Sequence, residues 1–239
     1  MSKRILADIK QINEQETKNL RIFYAPNSEN AMKGLALIFG PGGSPYEDLP
    51  IFLDIHYPSD YPFSSPKVRF LTYDGETRFH PNLYIEGKVC LSILGTWQGP
   101  SWTSVMNLRT VLLSILGLLD NEPLLHEPGY ATSKGALVST TYTEFIEFKS
   151  LKYIVNCIQG WLEGTPSYVI LIDEFEDVWA EAMPQIWENT RKRLVVLAKK
   201  PVVVWNRIVY TMSGKSSYAE LLEKLDAMKP KFEEKGFKL

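Results

Sequence analysis

Near the N-terminus apolar residues recur at spacings of three and four. Ile5, Ile9 and Ile12, joined by Leu6, form one stripe and predict a helix over residues 2–18, with Lys3, Arg4 and Lys10 off the stripe. The period then changes. Residues 20–25 (LRIFYA), 33–40 (KGLALIFG) and 50–58 (PIFLDIHYP) are short apolar runs. Turn chemistry closes the first at Pro26-Asn27-Ser28 and the second at Pro41-Gly42-Gly43. In the third run Ile51, Leu53, Ile55 and Tyr57 alternate with other residues, the pattern of a half-buried strand. A fourth strand is expected at about 67–71, after a proline-rich turn. No crossover helix separates the four, so they predict an antiparallel meander.

Residues 72–103 lack periodicity and are rich in Gly, Pro and Asn. A connection of that length inside a domain tends to carry function. Helical spacing returns over about 104–119, where Val105, Leu108, Val111, Leu112, Ile115, Leu118 and Leu119 make a stripe wide enough for a buried helix. A proline-punctuated loop, DNEPLLHEPGY, occupies 120–130. A helix at about 139–162 turns Tyr142, Phe145, Leu151, Val155, Ile158 and Trp161 inward and breaks at GTPSYVI. Further helices are expected at about 168–198, kinked or divided at Pro184, at about 202–212, and at about 217–228 with Leu221, Leu222 and Leu225.

The 239 residues are 45% hydrophobic and 23% charged, an ordinary globular balance. A formal charge of -2 does not fit a nucleic-acid-coating protein. Two cysteines cannot build a disulfide framework, which points to a reducing compartment. The start, MSKRILADIKQ, has no apolar signal core, and RLVVLAKKPVVVW is interrupted by charge and proline. We therefore expect a soluble intracellular protein, cytoplasmic, with the nucleus left open as a second compartment, and with neither nucleic acid nor membrane as partner.

Candidate chemistry concentrates in FHPNLYIEGKVCLSIL, residues 79–94. Taken alone, Cys90 reads as a buried filler, as free cysteines often are. Asn82 carries two amide N–H donors that could serve a developing oxyanion or its own turn. His80 reads as a turn-holding residue, His56 as strand packing, and Cys157, beside Ile154, Ile158 and Trp161, as core. The three histidines are scattered, and neither a metal-ligand cluster nor a phosphate-cradling glycine loop is legible.

The order of GPGGSPY (40–46), YPSDYPF (57–63), HPN (80–82) and GKVCLSIL (87–94) resembles the ubiquitin-conjugating enzyme family across most of residues 1–160. GTWQGPSW (95–102) and HEPGY (126–130) are most similar to its larger members, the Z-type branch, which also carries a helical C-terminal extension. The resemblance implies an α+β fold: N-terminal helix, four-stranded antiparallel meander, central helix behind an active-site loop, and helical extension. It divides the chain into a conjugating domain at 1–160 and an extension at 161–239, packed on or next to the core.

It further implies an acyltransferase. Cys90 would accept ubiquitin, or a ubiquitin-like modifier, as a thioester from an activating enzyme and pass it to a substrate lysine or to a RING-type or HECT-type ligase. Asn82 would be the oxyanion or turn residue. Where many members place an acid near the thioester, this sequence has His126, which could accept the lysine's proton when neutral; Glu127 and Glu122 flank it. Ser92 replaces another frequent acid, and Ser104 a frequent proline. Lys3, Arg4 and Lys10 match the activating-enzyme contact, and Phe63, Ser104 and Val105 the ligase contact. Trp97 is expected to anchor the inserted loop. No cofactor is implied, since the activating enzyme uses the ATP. Two other readings are a non-catalytic ubiquitin- or ligase-binding module of the same fold and a thiol hydrolase. The hydrolase would need a histidine oriented toward Cys90.

Overall fold

Leu37 shows how the sheet is built. The computed structural model describes residues 3–165 and 171–237. In it Leu37 lies opposite Phe23 on one neighbouring strand and Phe52 on the other. The strands are β1 (Ile22–Pro26), β2 (Lys33–Phe39), β3 (Pro50–His56) and β4 (Lys67–Phe70), antiparallel and adjacent in chain order, as the meander required. Side chains alternate, so Ile22, Ile38 and Ile51 share one face, and Phe23, Leu37 and Phe52 the other.

The sheet departs from expectation in its burial. β3 is not half-buried: Phe52 is as deeply buried as Ile51. The cover is supplied by α5 (Glu176–Leu197), defined below with the other C-terminal elements. Its Trp179 lies 6.0 Å from Phe39 and 6.5 Å from Phe52, its plane inclined 29° and 30° to theirs, and the preceding Phe175 lies 6.4 Å from Phe52. These separations fall within the favourable range for aromatic pairs.

The N-terminal helix is shorter than its periodicity suggests. α1 (Lys3–Ile12) ends at Ile12, the chain turns at Asn13-Glu14, and α2 (Gln15–Asn19) follows. The Thr17 hydroxyl bridges the turn by donating to the Gln11 carbonyl at 3.2 Å. α1 also buries Asp8, which no apolar pattern announces. Its carboxylate accepts from Arg4 Nε at 3.0 Å, from the Tyr61 hydroxyl, and from the Leu108 backbone N–H at 3.0 Å. Leu108 is the first residue of α3 (Leu108–Leu118). The carboxylate thus takes an N–H that the helix cannot satisfy internally, at the end where the helix dipole favours negative charge. Asn107 accepts from the Thr110 N–H at 2.9 Å. Together they start α3 at Leu108, not near 104.

α4 (Leu137–Glu163) buries Tyr142, Phe145, Leu151, Val155 and Ile158 and ends at the left-handed Gly164. The boundary expected at 160–161 falls inside this helix. Of the expected break at 164–170, residues 166–170 lie outside the described residues, as does the expected helix start at 168. α5 runs through Pro184 undivided, with Trp179, Met183, Ile186 and Trp187 buried on either side of it, so packing overrides the missing N–H.

The helix expected at 202–212 is instead a hairpin. β5 (Val204–Trp205) pairs antiparallel with β6 (Gly214–Lys215). Pro201 lacks a donor, and Val202-Val203-Val204 favour extended backbone. Trp205 packs 5.2 Å from Phe145 and 5.7 Å from Phe148. Gly214 leaves room for the Phe145 ring, which a Cβ there would meet at 3.1 Å. α6 (Tyr218–Ala227), burying Leu221 and Leu225, and α7 (Lys229–Glu234) complete the chain. No helix among the described residues is long and apolar enough to cross a membrane.

Replacing Trp179 with Ala should remove the cover of Phe39 and Phe52 and lower unfolding stability by about 3–5 kcal/mol. Urea denaturation measures it. One cooperative transition is expected in both proteins, and two separate transitions in the wild type would show that the extension folds by itself.

Candidate active site

Residues 71–107 contain neither an α-helix nor a ladder strand, only isolated bridges and one 3-10 turn at Ser92–Leu94. A buried backbone of this kind must find partners elsewhere. The Tyr46 hydroxyl donates to the Phe79 carbonyl at 2.7 Å, and the Tyr142 hydroxyl to the Arg78 carbonyl at 2.8 Å. The Thr96 hydroxyl donates to the Val89 carbonyl at 2.6 Å and accepts from the Leu91 N–H at 2.9 Å. Gly87, at φ +96°, passes so close to Arg69 that a Cβ would sit 2.8 Å from its side chain.

Cys90 and Asn82 hold each other. The Cys90 N–H donates to the Asn82 carbonyl at 2.8 Å, and Asn82 Nδ2 donates to the Cys90 carbonyl, also at 2.8 Å. In turn the Asn82 N–H donates to His80 Nδ1 at 3.0 Å. His80 is fully buried. Burial, then the nearby His126, hold its pKa well below the ordinary imidazole value, against an opposing pull from the Leu118 backbone. Its ring is therefore neutral, with Nδ1 free to accept.

Both cysteines are buried, but differently. Cys157 belongs to the main apolar core, where burial pushes its thiol pKa up. Cys90, only 1% exposed, stands outside that core, at the end of the side-chain-held loop. Leu91–Trp102 follow it, partly to fully exposed.

His126 closes a 3-10 turn (Pro123–His126) beyond α3. Its ring centroid lies 4.9 Å from that of His80, and its Nε2 is 2.8 Å from Asp120 Oδ2. Among the described residues no hydrogen bond joins His126 to Cys90. A thiol hydrolase would pair its cysteine with a general-base histidine, and among the described residues Cys90 has no such hydrogen-bonded partner. Nor do three His, Cys, Asp or Glu side chains converge as a metal site among these residues.

The remaining residues singled out in the sequence fall on two surfaces. Lys3 and Lys10 are exposed on α1, whereas Arg4 is engaged with Asp8 and the Met106 carbonyl. Phe63 and Val105 are 79% and 82% exposed, and Ser104 is exposed beside Val105. Their loops are tied together by Trp102, whose Nε1 donates to the Pro62 carbonyl at 2.7 Å. Trp97, expected to anchor the inserted loop, is 39% exposed. His56 is not packed in the core but half-exposed, 3.3 Å from Asp54. Sequence reasoning missed Asp120, Arg78 and Tyr210. Asp120 was visible as an acid six residues before His126, but the other two carry no local signal.

A sequence profile of the ubiquitin-conjugating enzymes matches residues 4–148. Curated relatives include proteins named "Ubiquitin-conjugating enzyme E2 Z". The Xenopus tropicalis protein is 38% identical over 64% of this chain and 48% of its own length. The Danio rerio protein is 34% identical over 75% and 57%, and the Homo sapiens protein 37% over 64% and 43%. The matches thus span about half the length of these relatives. They belong to the Z-type branch to which the inserted loops pointed.

His80 generates a pH dependence. Its folded pKa lies below its unfolded value of about 6.5. Below that pH the unfolded chain takes up a proton that the folded one does not. The His80 contribution is therefore complete above pH ~6.5 and declines below it by up to about 1.4 kcal/mol per pH unit. His80→Gln does not titrate, so the stability gap between wild type and variant should narrow from pH 6.5 to 5 in denaturant titrations. A constant gap would contradict a neutral buried His80.

Proposed function

The chain belongs to the ubiquitin-conjugating enzyme family, and from that premise we propose that Cys90 carries the C-terminal acyl group of ubiquitin or a ubiquitin-like modifier. The observation that carries this reading is the position of Cys90: at the end of a loop pinned through Asn82 and directly before the partly to fully exposed Leu91–Trp102. In loading, the Cys90 thiolate attacks the thioester carbonyl presented by an activating enzyme. A C–S bond forms to Cys90 as the C–S bond to the activating enzyme's cysteine breaks, and that cysteine leaves as thiolate. In discharge, a lysine amine attacks the same carbonyl. The C–N bond forms, the nitrogen loses a proton, and Cys90 leaves as thiolate. Transfer to a cysteine of a HECT-type ligase exchanges one thioester for another.

Asn82 Nδ2 spends one hydrogen on the Cys90 carbonyl. The second is the donor we assign to the oxyanion, a contribution of about 3–4 kcal/mol at the transition state. His126, oriented by Asp120, is the group we assign to the departing lysine proton. Exposed Lys3 and Lys10 suit the activating enzyme, and Phe63 with Val105 the RING-type or HECT-type ligase. Protein lysines are the substrates. The ATP of the pathway belongs to the activating enzyme, so this chain requires no cofactor. One observation favours the second reading, a non-catalytic binding module: the thiol is almost wholly shielded, so its cover must move before any thioester can reach it.

Incubation with an activating enzyme, ATP and a panel of modifiers, resolved with and without reductant, decides between them. A reductant-sensitive adduct is expected, absent in Cys90→Ala and converted to a reductant-stable ester in Cys90→Ser. Loading by none of the modifiers would remove the catalytic reading and leave ubiquitin titration to test the module. In a loaded protein, His126→Ala should slow discharge to free lysine by about 10²-fold, the low end of general-base effects, with loading unchanged. Equal rates would remove His126 from the reaction.

A further inference from the structure

The tip of the β5–β6 hairpin holds a costly backbone. Arg207, Tyr210 and Thr211 sit at φ +49°, +60° and +58°, none of them glycine and one β-branched. Such conformations persist only where surrounding contacts over-determine them. Within the tip, the Ile208 N–H donates to the Met212 carbonyl at 2.9 Å, and the Arg207 N–H to Ser213 Oγ at 3.0 Å. The contacts outside it are more informative, because they go to the two loops beside Cys90.

The first loop is reached through Arg78. Its guanidinium lies over the Tyr210 ring at 4.1 Å and over the Tyr84 ring at 3.7 Å, close enough for cation–π attraction. Arg78 Nη2 donates to the Pro81 carbonyl at 2.5 Å, next to Asn82. The Arg78 N–H faces Met212 Sδ at 3.3 Å, a second contact from the same tip. The other loop is reached directly: the Tyr210 hydroxyl donates to Glu127 Oε2 at 2.6 Å. Glu127 follows His126. Burial, then the bond to Glu127, raise the Tyr210 pKa far above the ordinary phenol value, so the hydroxyl stays a donor throughout the neutral range.

We propose that Tyr210 is a positioning residue for the transfer step, tying the loop of Pro81 and Asn82 to the loop of His126 and Glu127. The proposal rests on the reading of Cys90 as the acyl carrier. Tyr210 touches neither Cys90 nor His126 by hydrogen bond. It acts by holding Arg78 against the Pro81 carbonyl and by fixing the Glu127 carboxylate, which would otherwise be a mobile negative charge one residue from His126. Aminolysis, which needs a proton removed from the attacking nitrogen, depends on that arrangement. Attack by a small thiol, already partly thiolate, needs no such proton removal.

Tyr210→Phe keeps the ring over Arg78 and removes the bond to Glu127, while Tyr210→Ala removes both. Tyr210→Phe should load as the wild type does. Discharge to free lysine should slow about tenfold for Phe, the low end of the loss expected for one hydrogen bond to a charged group, and further for Ala. Discharge to a small thiol should be unchanged in Tyr210→Phe, which leaves the Asn82 loop held through Arg78, and in Tyr210→Ala should slow less than discharge to lysine. Unchanged lysine discharge, or equal losses with lysine and thiol, would overturn the proposal, since a merely structural role would slow both acceptors together. Amide exchange on the unloaded proteins supplies the independent readout. Residues 78–84 and 122–130 should exchange faster in Tyr210→Ala, and unchanged exchange would overturn the clamp. A wild type that fails to load would instead sink the acyl-carrier reading, with the exchange result still deciding whether Tyr210 holds the loops.

Discussion

The constraint on which the site depends is the polar backbone of residues 71–107. This stretch is deeply packed at Phe79–Leu83, yet it joins no ladder that would satisfy its N–H and C=O groups. Leaving such groups buried and unpaired would cost about as much as the net gain of several good contacts. Side chains, two from outside the stretch and two within it, do what a ladder would have done. Tyr46 takes Phe79, Tyr142 takes Arg78, Thr96 serves Val89 and Leu91, and Asn82 pairs with Cys90 in both directions. Each of these residues constrains the path of the chain at one point. The position of Cys90 is the sum of those constraints, not the outcome of a local propensity.

The C-terminal residues contribute to the same structure from two sides. Through Phe175 and Trp179 they cover a sheet face that would otherwise expose Phe39 and Phe52 to water. At the far edge of that contact Asn189 donates to Asp48 at 2.9 Å, and Arg193 reaches the Glu47 carbonyl and the Glu147 carboxylate. The hairpin enters from the other side, seated by Trp205 between Phe145 and Phe148, and reaches Arg78 and Glu127. A face of this size is stabilised mainly by apolar burial, at about 25 cal/mol per Å². The hairpin contacts are few and polar, so they suit alignment better than bulk stability.

Buried polar residues mark where pattern reading stops. Asp8 sits on the apolar stripe of α1 and would be scored as a flaw in it. In three dimensions it receives Arg4, Tyr61 and the start of α3, and a buried carboxylate is tolerable only with such partners. His80 and Asn82 were legible as a turn because His-Pro-Asn has a strong local conformational preference. That the His80 ring is neutral and accepts from Asn82 follows from burial, which no single residue type encodes. Tyr210 is 132 residues from Arg78 in sequence, inside a segment whose helical spacing suggested another element altogether.

Local, periodic signals along the chain were enough to place the four strands and their order, the central helix, α4, and the segment around Cys90 as a loop with a family motif. They sufficed because the alternation and the 3.6-residue period are properties of short stretches, and because glycine and proline act on their own neighbours. Burial of β3 on both faces, the return of residues 202–212 as a hairpin, the Trp102 link between the loops of Phe63 and Val105, and the placement of Arg78 over Tyr84 and Tyr210 arise only in the folded chain. Each of those depends on contacts between residues far apart in the chain. Such contacts form only when several elements are already packed together, and their energy is not a property of any one segment.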